Sequence, residues 1–195
     1  MHENHLVFNL KDFLYTNDSG ENALQNILSH FSCPLNPSVE RFLKEQAVEF
    51  TKKNQSITYL VFSLDAELLG YFSIAIKPIS INAHNFSNTV KRKLARVGEK
   101  EAGSDTFSLA AYLIAQLGKN YSLDQDKRIS GDELLGIALE QIRSIQYNAG
   151  GLICFLEAEN YDKLIHFYEH NAFKRFDTRH AKSSDEELIQ LLTFL

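Results

Sequence analysis

The chain has 195 residues, 44% hydrophobic and 11% aromatic, enough to bury the core of a single domain and too apolar for global disorder. Its net charge of −5 excludes a surface coated in positive charge for nucleic acid, though not a local basic face. Two distant cysteines, Cys33 and Cys154, fit a reducing compartment. The start MHENHLVFNL lacks the basic-then-apolar pattern of a leader, and no stretch approaches the ~18 apolar residues of a membrane span. A cytoplasmic protein is expected.

Leu6 to Phe13 alternates as a half-buried strand does, and NDSGEN breaks it. Asn22 to Phe31 carries Leu24, Ile27 and Leu28 at helical spacing. After the turn SCPLNP, Asn36 followed by Pro37 is a helix start. Val39, Phe42, Leu43, Ala47 and Phe50 then form one apolar face to about Lys53. Ile57–Leu64 and Leu68–Ile76, joined by Asp65-Ala66-Glu67, predict a hairpin. Residues 81–106 are polar, with Lys91, Arg92, Lys93, Arg96 and Lys100. A helix from about Ser87 to Val97 is expected there, its cations forming either a solvated face or a lip for an anionic partner.

Leu109–Leu117 is a candidate buried strand, followed by a polar loop to Ser130. From Gly131 the spacing of Leu134, Leu135, Ala138, Leu139 and Ile142 predicts an amphipathic helix ending at Asn148-Ala149-Gly150-Gly151. Leu152–Leu156 reads as a strand and Tyr161–His170 as a helix. Ala172–Phe176 and Leu188–Leu195 read as strands joined by a charged turn. The second half is thus β-α-β-α-β-β, a mixed sheet with packed helices.

Two readings compete for the loop Ser122–Glu133. As a calcium loop it places Asp124, Asp126, Ile129 and Glu133 at the third, fifth, eighth and twelfth positions of the EF-hand pattern. Ser122 and Lys127 then stand where that pattern wants Asp and Gly. As a phosphate cradle, Arg128-Ile129-Ser130-Gly131 precedes a helix whose first N–H groups and dipole favour an anion. A plain loop and helix cap is the third alternative.

The order of strand, basic-Gly loop, long helix, Gly-Gly turn, strand and "FYEHNAF" helix resembles the GNAT superfamily of acetyl-CoA-dependent N-acetyltransferases. The family's [Arg/Gln]-x-x-Gly-x-[Gly/Ala] loop stands here as Arg128-Ile129-Ser130-Gly131-Asp132-Glu133, and its "FYE..GF" element as Phe167 to Phe173. "FSCPLNPSVERFLKEQAVEF" and "SITYLVFSLDAELLGYFSI" resemble the amino-terminal half of GNAT toxins from toxin–antitoxin pairs. The resemblance implies an α/β GNAT fold, a mixed, mostly antiparallel sheet splayed at the coenzyme site with flanking helices. It implies one domain over 1–195, with a strand and helices in 1–56, a basic helical insertion at 81–106 and a coenzyme-binding core at 109–176.

Acetyl-CoA is the co-substrate so implied, and no metal is. The strand end Leu117-Gly118-Lys119 would pair with the pantetheine arm, Gly118 also suiting a bulge. Arg128 to Glu133 would hold the pyrophosphate, and Asn160 is a further coenzyme contact or a simple helix cap. Three departures are visible: a longer loop before Arg128, Ala172 in place of glycine, and Glu133 in place of a small residue. A carboxylate about 7 Å from a phosphate charge costs about 0.6–2.4 kcal/mol for an effective dielectric between 80 and 20.

Acetyl transfer to an amine needs positioning, an oxyanion donor and an acid for the departing thiolate. Tyr168 is the candidate acid, since a phenol stays protonated at neutral pH; a core tyrosine is the alternative. Glu157 and Glu159 are weaker candidates for a proton relay. Cys154 reads as a buried hydrophobe, and His166 and His170 lack further ligands for a metal. The acceptor is a small-molecule amine, a peptide or, as the toxin likeness implies, aminoacyl-tRNA. An antitoxin and a second copy of the chain are candidate partners. A degenerate GNAT fold serving as a binding module, and the calcium-binding protein, are the competing classes.

Overall fold

Asn36 accepts the Val39 N–H with its side chain, and Pro37 stands at the first helical position, so a helix begins where cap and proline predict it. The chain is described from a computed structural model, which covers residues 5–15, 18–84, 86–180 and 187–195. The strands are β1 (His5–Asn9), β2 (Ile57–Ser63), β3 (Leu68–Asn82), β4 (Glu99–Lys100), β5 (Thr106–Lys119), β6 (Ile153–Glu159), β7 (Lys174–His180) and β8 (Glu187–Phe194). The helices are α1 (Leu10–Leu14), α2 (Asp18–Ser29), α3 (Pro37–Arg41), α4 (Ala47–Lys52), α5 (Asn88–Leu94), α6 (Gly131–Ala149) and α7 (Asp162–His170). A π-helical stretch, Phe42–Gln46, joins α3 to α4.

The chain divides into two units, Met1–Ala75 with Ile114–Gln141, and Ile76–Leu113 with Ile142–Leu195. β3 and β5 contribute to both. In the first unit the strand order is β1-β2-β3-β5; in the second it is β3-β5-β6-β8-β7, with β4 paired to β5 off this path. β5 and β6 are parallel, in register at Tyr112↔Cys154 and Leu113↔Phe155. The pairs β1·β2, β2·β3, β4·β5, β6·β8 and β7·β8 are antiparallel. Each unit has its own core. The first gathers Leu24, Leu28, Phe31, Leu43, Leu60 and Tyr71. The second gathers Ile81, Leu94, Phe107, Ile153, Phe155 and Leu192.

Several boundaries differ from those expected. β1 stops at Asn9, whose side chain accepts the Lys11 N–H and starts α1, so Leu10 to Phe13 are helical rather than extended. α2 begins at Asp18, inside the expected NDSGEN break. β3 runs past Ile76 to Asn82. The expected insertion helix is α5, capped by the Ser87 hydroxyl on the Val90 N–H and anchored by the fully buried Leu94. The charged turn expected between β7 and β8 lies at 181–186, outside the described residues. Cys33 and Cys154 are both buried and in no disulfide. Among the described residues no helix is long and apolar enough to cross a membrane.

Candidate functional site

In the first unit the last residue but one of β5 is Gly118, which is buried. A Cβ there would lie 2.5 Å from Val39 Cγ1 and 2.9 Å from Tyr71 Cε1, closer than any side chain tolerates. Tyr71 is locked in turn, its hydroxyl donating to the Val39 carbonyl at 2.6 Å. Close packing is thus one reason for a glycine here. Leu117 and Lys119 flank it half-buried.

The next residue, Asn120, is 2% exposed and was not anticipated from sequence. Its amide donates to the Leu68 carbonyl at 2.8 Å. Its oxygen accepts from the Ser32 N–H at 3.0 Å, the Ser122 N–H at 3.1 Å and the Ser122 hydroxyl at 2.9 Å. One buried amide thus ties the loop after β5 to the segment before α3 and to the start of β3. Such a group is retained only when fully hydrogen-bonded.

The loop satisfies its own cations. Arg128 donates from Nε to the Leu123 carbonyl at 2.9 Å and from Nη2 to the Tyr121 carbonyl at 3.1 Å, its guanidinium 5.2 Å from the Tyr121 ring centre. Lys127 pairs with Glu67 at 2.7 Å. Residues Gln125–Lys127 form a 3₁₀ turn, and the strand β5, not a helix, leads into the loop. That entry removes the helix-loop-helix of the calcium reading. Ile129 is buried and Ser130 exposed.

Ser130 and Glu133 form a reciprocal capping box at the start of α6. The Glu133 carboxylate accepts the Ser130 N–H at 2.9 Å, and the Ser130 hydroxyl accepts the Glu133 N–H at 3.1 Å. Asp132 adds a charge to the first turn, favourable to the dipole. The pattern Ser-x-x-Glu was readable as a cap. Glu133 does not point away along the helix; its carboxylate occupies the Ser130 N–H, which an anion at this helix start would use.

In the second unit Tyr168 is buried on α7. Its ring lies edge-on to Phe167 at 5.0 Å and to Phe173 at 5.8 Å between centroids. Burial pushes its phenol up to about 12. The "FYEHNAF" signature that carries it is a helix stop. The Phe173 N–H donates to the Tyr168 carbonyl at 3.0 Å and the Ala172 N–H to the Glu169 carbonyl at 3.1 Å, the Schellman pattern, with its apolar contact supplied by Phe173 on Tyr168. The motif therefore fixes the tyrosine ring.

This stop puts Ala172 at φ 65°, where glycine is favoured. A left-handed alanine costs about 1–2 kcal/mol, less the unfolded-state entropy that glycine adds, about 0.4–1 kcal/mol. Ala172→Gly should accordingly raise stability by about 0.5–1 kcal/mol, read as a melting temperature higher by about 1–4 °C. A lower melting temperature would contradict this account of the motif.

The remaining predicted residues of this unit are engaged on the surface. Asn160 is exposed and donates to Glu187 at 3.4 Å. It does not cap α7; Tyr161 occupies that position, without a side-chain hydrogen bond. Glu157 accepts from Arg179 at 3.1 Å and Gln190 at 2.8 Å, an ion-paired carboxylate rather than an open base. Cys154 is fully buried, as a small hydrophobe would be. On α5 the basic stretch is partly spent. Lys91 and Lys100 converge on Asp105 at 2.6 and 3.1 Å, and Lys93 lies 5.0 Å from the Phe194 ring centre. Arg92 and Arg96 are exposed.

No family model and no curated protein matches the chain. Solved structures do. AtaT complexed with acetyl-methionyl-tRNAfMet is 16% identical, with 95% of this chain and 93% of that one covered at a TM-score of 0.63. A tyrosine-to-phenylalanine mutant of KacT is 15% identical, with 98% and 95% covered at 0.66. A tyrosine-to-phenylalanine mutant of the AtaT toxin, bound to the C-terminus of the antitoxin AtaR and acetyl-CoA, is 16% identical, with 97% and 92% covered at 0.60. The chain has the fold of these toxins, the GNAT fold expected from its sequence.

Proposed function

We propose that this protein is a GNAT toxin that moves an acetyl group from acetyl-CoA to the α-amine of an aminoacyl-tRNA. The observation that carries the reading is the near full-length likeness to AtaT, solved with acetyl-methionyl-tRNAfMet. Acetyl-CoA supplies the activated thioester. The backbone of Leu117 to Lys119 offers strand hydrogen bonds to its pantetheine arm, and the start of α6 offers the Ser130 and Gly131 N–H groups to its pyrophosphate. These residues fit that anion once the Glu133 carboxylate releases the Ser130 N–H. Tyr168 donates a proton to the leaving sulfur as the amine nitrogen bonds the acyl carbon and the carbon–sulfur bond breaks. The proton lost by the amine restores the phenol through water. Arg92, Lys93 and Arg96 are the cations offered to tRNA phosphates.

Purified protein, acetyl-CoA, charged tRNA and a panel of amines decide the matter. Transfer to charged tRNA, with growth arrest on expression, is expected. Acetylation of small amines alone, without arrest, would end the toxin reading and leave an acetyltransferase. Acetyl-CoA should raise the melting temperature by linkage while millimolar calcium does not. Binding without turnover would leave only the binding module.

Glu133→Gly removes a like charge and frees the Ser130 N–H. Calorimetry should show acetyl-CoA bound about 3- to 60-fold more tightly, the equivalent of about 0.6–2.4 kcal/mol. The same variant, lacking the capping box, should be less stable without ligand by about 1–2 kcal/mol. Unchanged or weaker binding would give the carboxylate a positive role.

A further inference from the structure

Lys119, Lys127 and Arg128 are the cations at the end of β5 and in the loop that follows it. Lys127 and Arg128 are spent. Lys127 pairs with Glu67, with Asp124 and Asp126 also near it, and Arg128 donates to the Leu123 and Tyr121 carbonyls. Lys119, the last residue of β5, is half-buried and, among the described residues, has no carboxylate or carbonyl partner. Its ammonium stands 5.5 Å from the centre of the Tyr121 ring, a contact that holds a cation without neutralising it. The backbone that carries it is fixed on both sides. Gly118 is crowded by Phe31, Val39 and Tyr71, and Asn120 is buried and hydrogen-bonded to Ser32, Leu68 and Ser122. A charge so placed needs no reorganisation when negative charge develops beside it.

The field of Lys119 reaches a sulfur within the first unit. Burial pushes the Cys33 thiol up, as does Glu40, while a hydrogen bond from the Asn36 N–H and the Lys119 charge draw it down. Glu40 is itself held by Lys44 at 2.7 Å and by the Cys33 N–H at 2.7 Å. Burial pushes the Tyr71 and Tyr121 phenols up, so both stay neutral beside the ammonium. With Arg128 on the same Tyr121 ring, the strand end is positive.

We propose that the Lys119 ammonium stabilises the thiolate that departs from acetyl-CoA, whose pantetheine arm is the one assigned above to the backbone of Leu117 to Lys119. The inference rests on the acetyltransferase reading and adds a residue to it. When the amine nitrogen bonds the acyl carbon and the carbon–sulfur bond breaks, the electron pair of that bond leaves on sulfur. The Tyr168 phenol, pushed up to about 12, gives its proton uphill to a thiol of ~8.5, so charge builds on sulfur before it is neutralised. Lys119 lowers the energy of that charge and keeps its own protons; the proton that ends on sulfur is the phenol's. A unit positive charge about 6–10 Å from a thiol lowers its pKa by about 0.3–2 units for an effective dielectric between 80 and 20.

Coenzyme A bound to the full chain tests it, its thiolate read by ultraviolet absorbance across a pH titration. The complex with desulfo-coenzyme A, titrated in parallel, subtracts the signal of Cys33 and Cys154. Lys119→Gln and Lys119→Met should each raise the pKa of the bound thiol by about 0.3–2 units and slow single-turnover transfer by about 2- to 100-fold at most. Lys119→Arg, which keeps the charge, should hold both near the wild-type values. Met retains an alkyl stem for the Tyr121 ring, so an effect in Lys119→Gln that Lys119→Met lacks is one of packing and overturns the proposal. A bound thiol that ionises in both neutral variants as in the wild type overturns it too, as does an equal shift in Lys119→Arg. A wild type that binds no coenzyme A ends the acetyltransferase reading and this inference with it, whereas binding with an unmoved thiol ends this inference alone.

Discussion

Tyr168→Phe should lower turnover by about 10²- to 10⁴-fold while leaving acetyl-CoA affinity nearly unchanged. The variant removes one oxygen and keeps the ring that meets Phe167 and Phe173, so the fold is spared. The size of the effect depends on how good an acid the phenol is. Burial pushes it up to about 12, above the ~8.5 of a thiol. It therefore stays protonated through the neutral range and is always ready to donate, yet the transfer to sulfur is uphill. Both facts favour the lower end of the range, about 10²-fold. The raised value also has a stability consequence. The folded state holds this proton more tightly than an unfolded tyrosine near 10, so its contribution is complete below about pH 10 and is lost as pH rises toward 12. Single-turnover kinetics on the variant give the direct check. Full activity would make Tyr168 a core residue and nothing more.

Replacing Arg92, Lys93 and Arg96 with glutamine should weaken binding of charged tRNA and flatten its salt dependence by up to about one unit of slope per lost phosphate contact. At 0.15 M salt one unit is about sevenfold, so three contacts amount to at most roughly 300-fold. Acetyl-CoA binding should not change. Lys91 is left out of the set because it and Lys100 hold Asp105. Hydrogen bonds from those two lysines pull the Asp105 carboxyl down to about 2. Its ionised form is the paired one, so this anchor is present above the ordinary carboxylate range near 4 and is lost only as pH falls toward 2. Lys91→Gln should instead loosen α5, a loss of order visible as faster amide exchange without the change in salt slope. Salt titrations of the triple variant that keep the wild-type slope would place the tRNA contact elsewhere.

The sequence spoke most clearly where a local rule and the tertiary contacts agreed. Asn36-Pro37 starts α3 as cap and proline require, and Leu134 to Ile142 make α6 amphipathic. It misled where two local rules competed. Leu6 to Phe13 alternates, but Asn9 is a good cap for the turn that follows, and the cap prevailed. Glu133 reads as a calcium ligand or as a charge near a phosphate, although Ser-x-x-Glu before an apolar run is also a capping box. Some features had no local signal at all. The place of β8 between β6 and β7, the π-helical stretch at Phe42–Gln46 and the burial of Asn120 depend on distant segments. The crowding at Gly118 had no local signal either, because Val39 and Tyr71 are far away in sequence.

The buried amide of Asn120 makes the loop after β5 a poor candidate for independent fluctuation. Ser32, Leu68 and Ser122 hang from one side chain, and slackening any of them exposes donors and acceptors of the others to a dry interior. Their backbone amides therefore belong to a single cooperative opening, governed by the core around Tyr71 rather than by the exposed turn at Gln125–Lys127. Whatever gating the loop performs must come from its outer half, where the Glu133 carboxylate can leave Ser130 without disturbing that anchor.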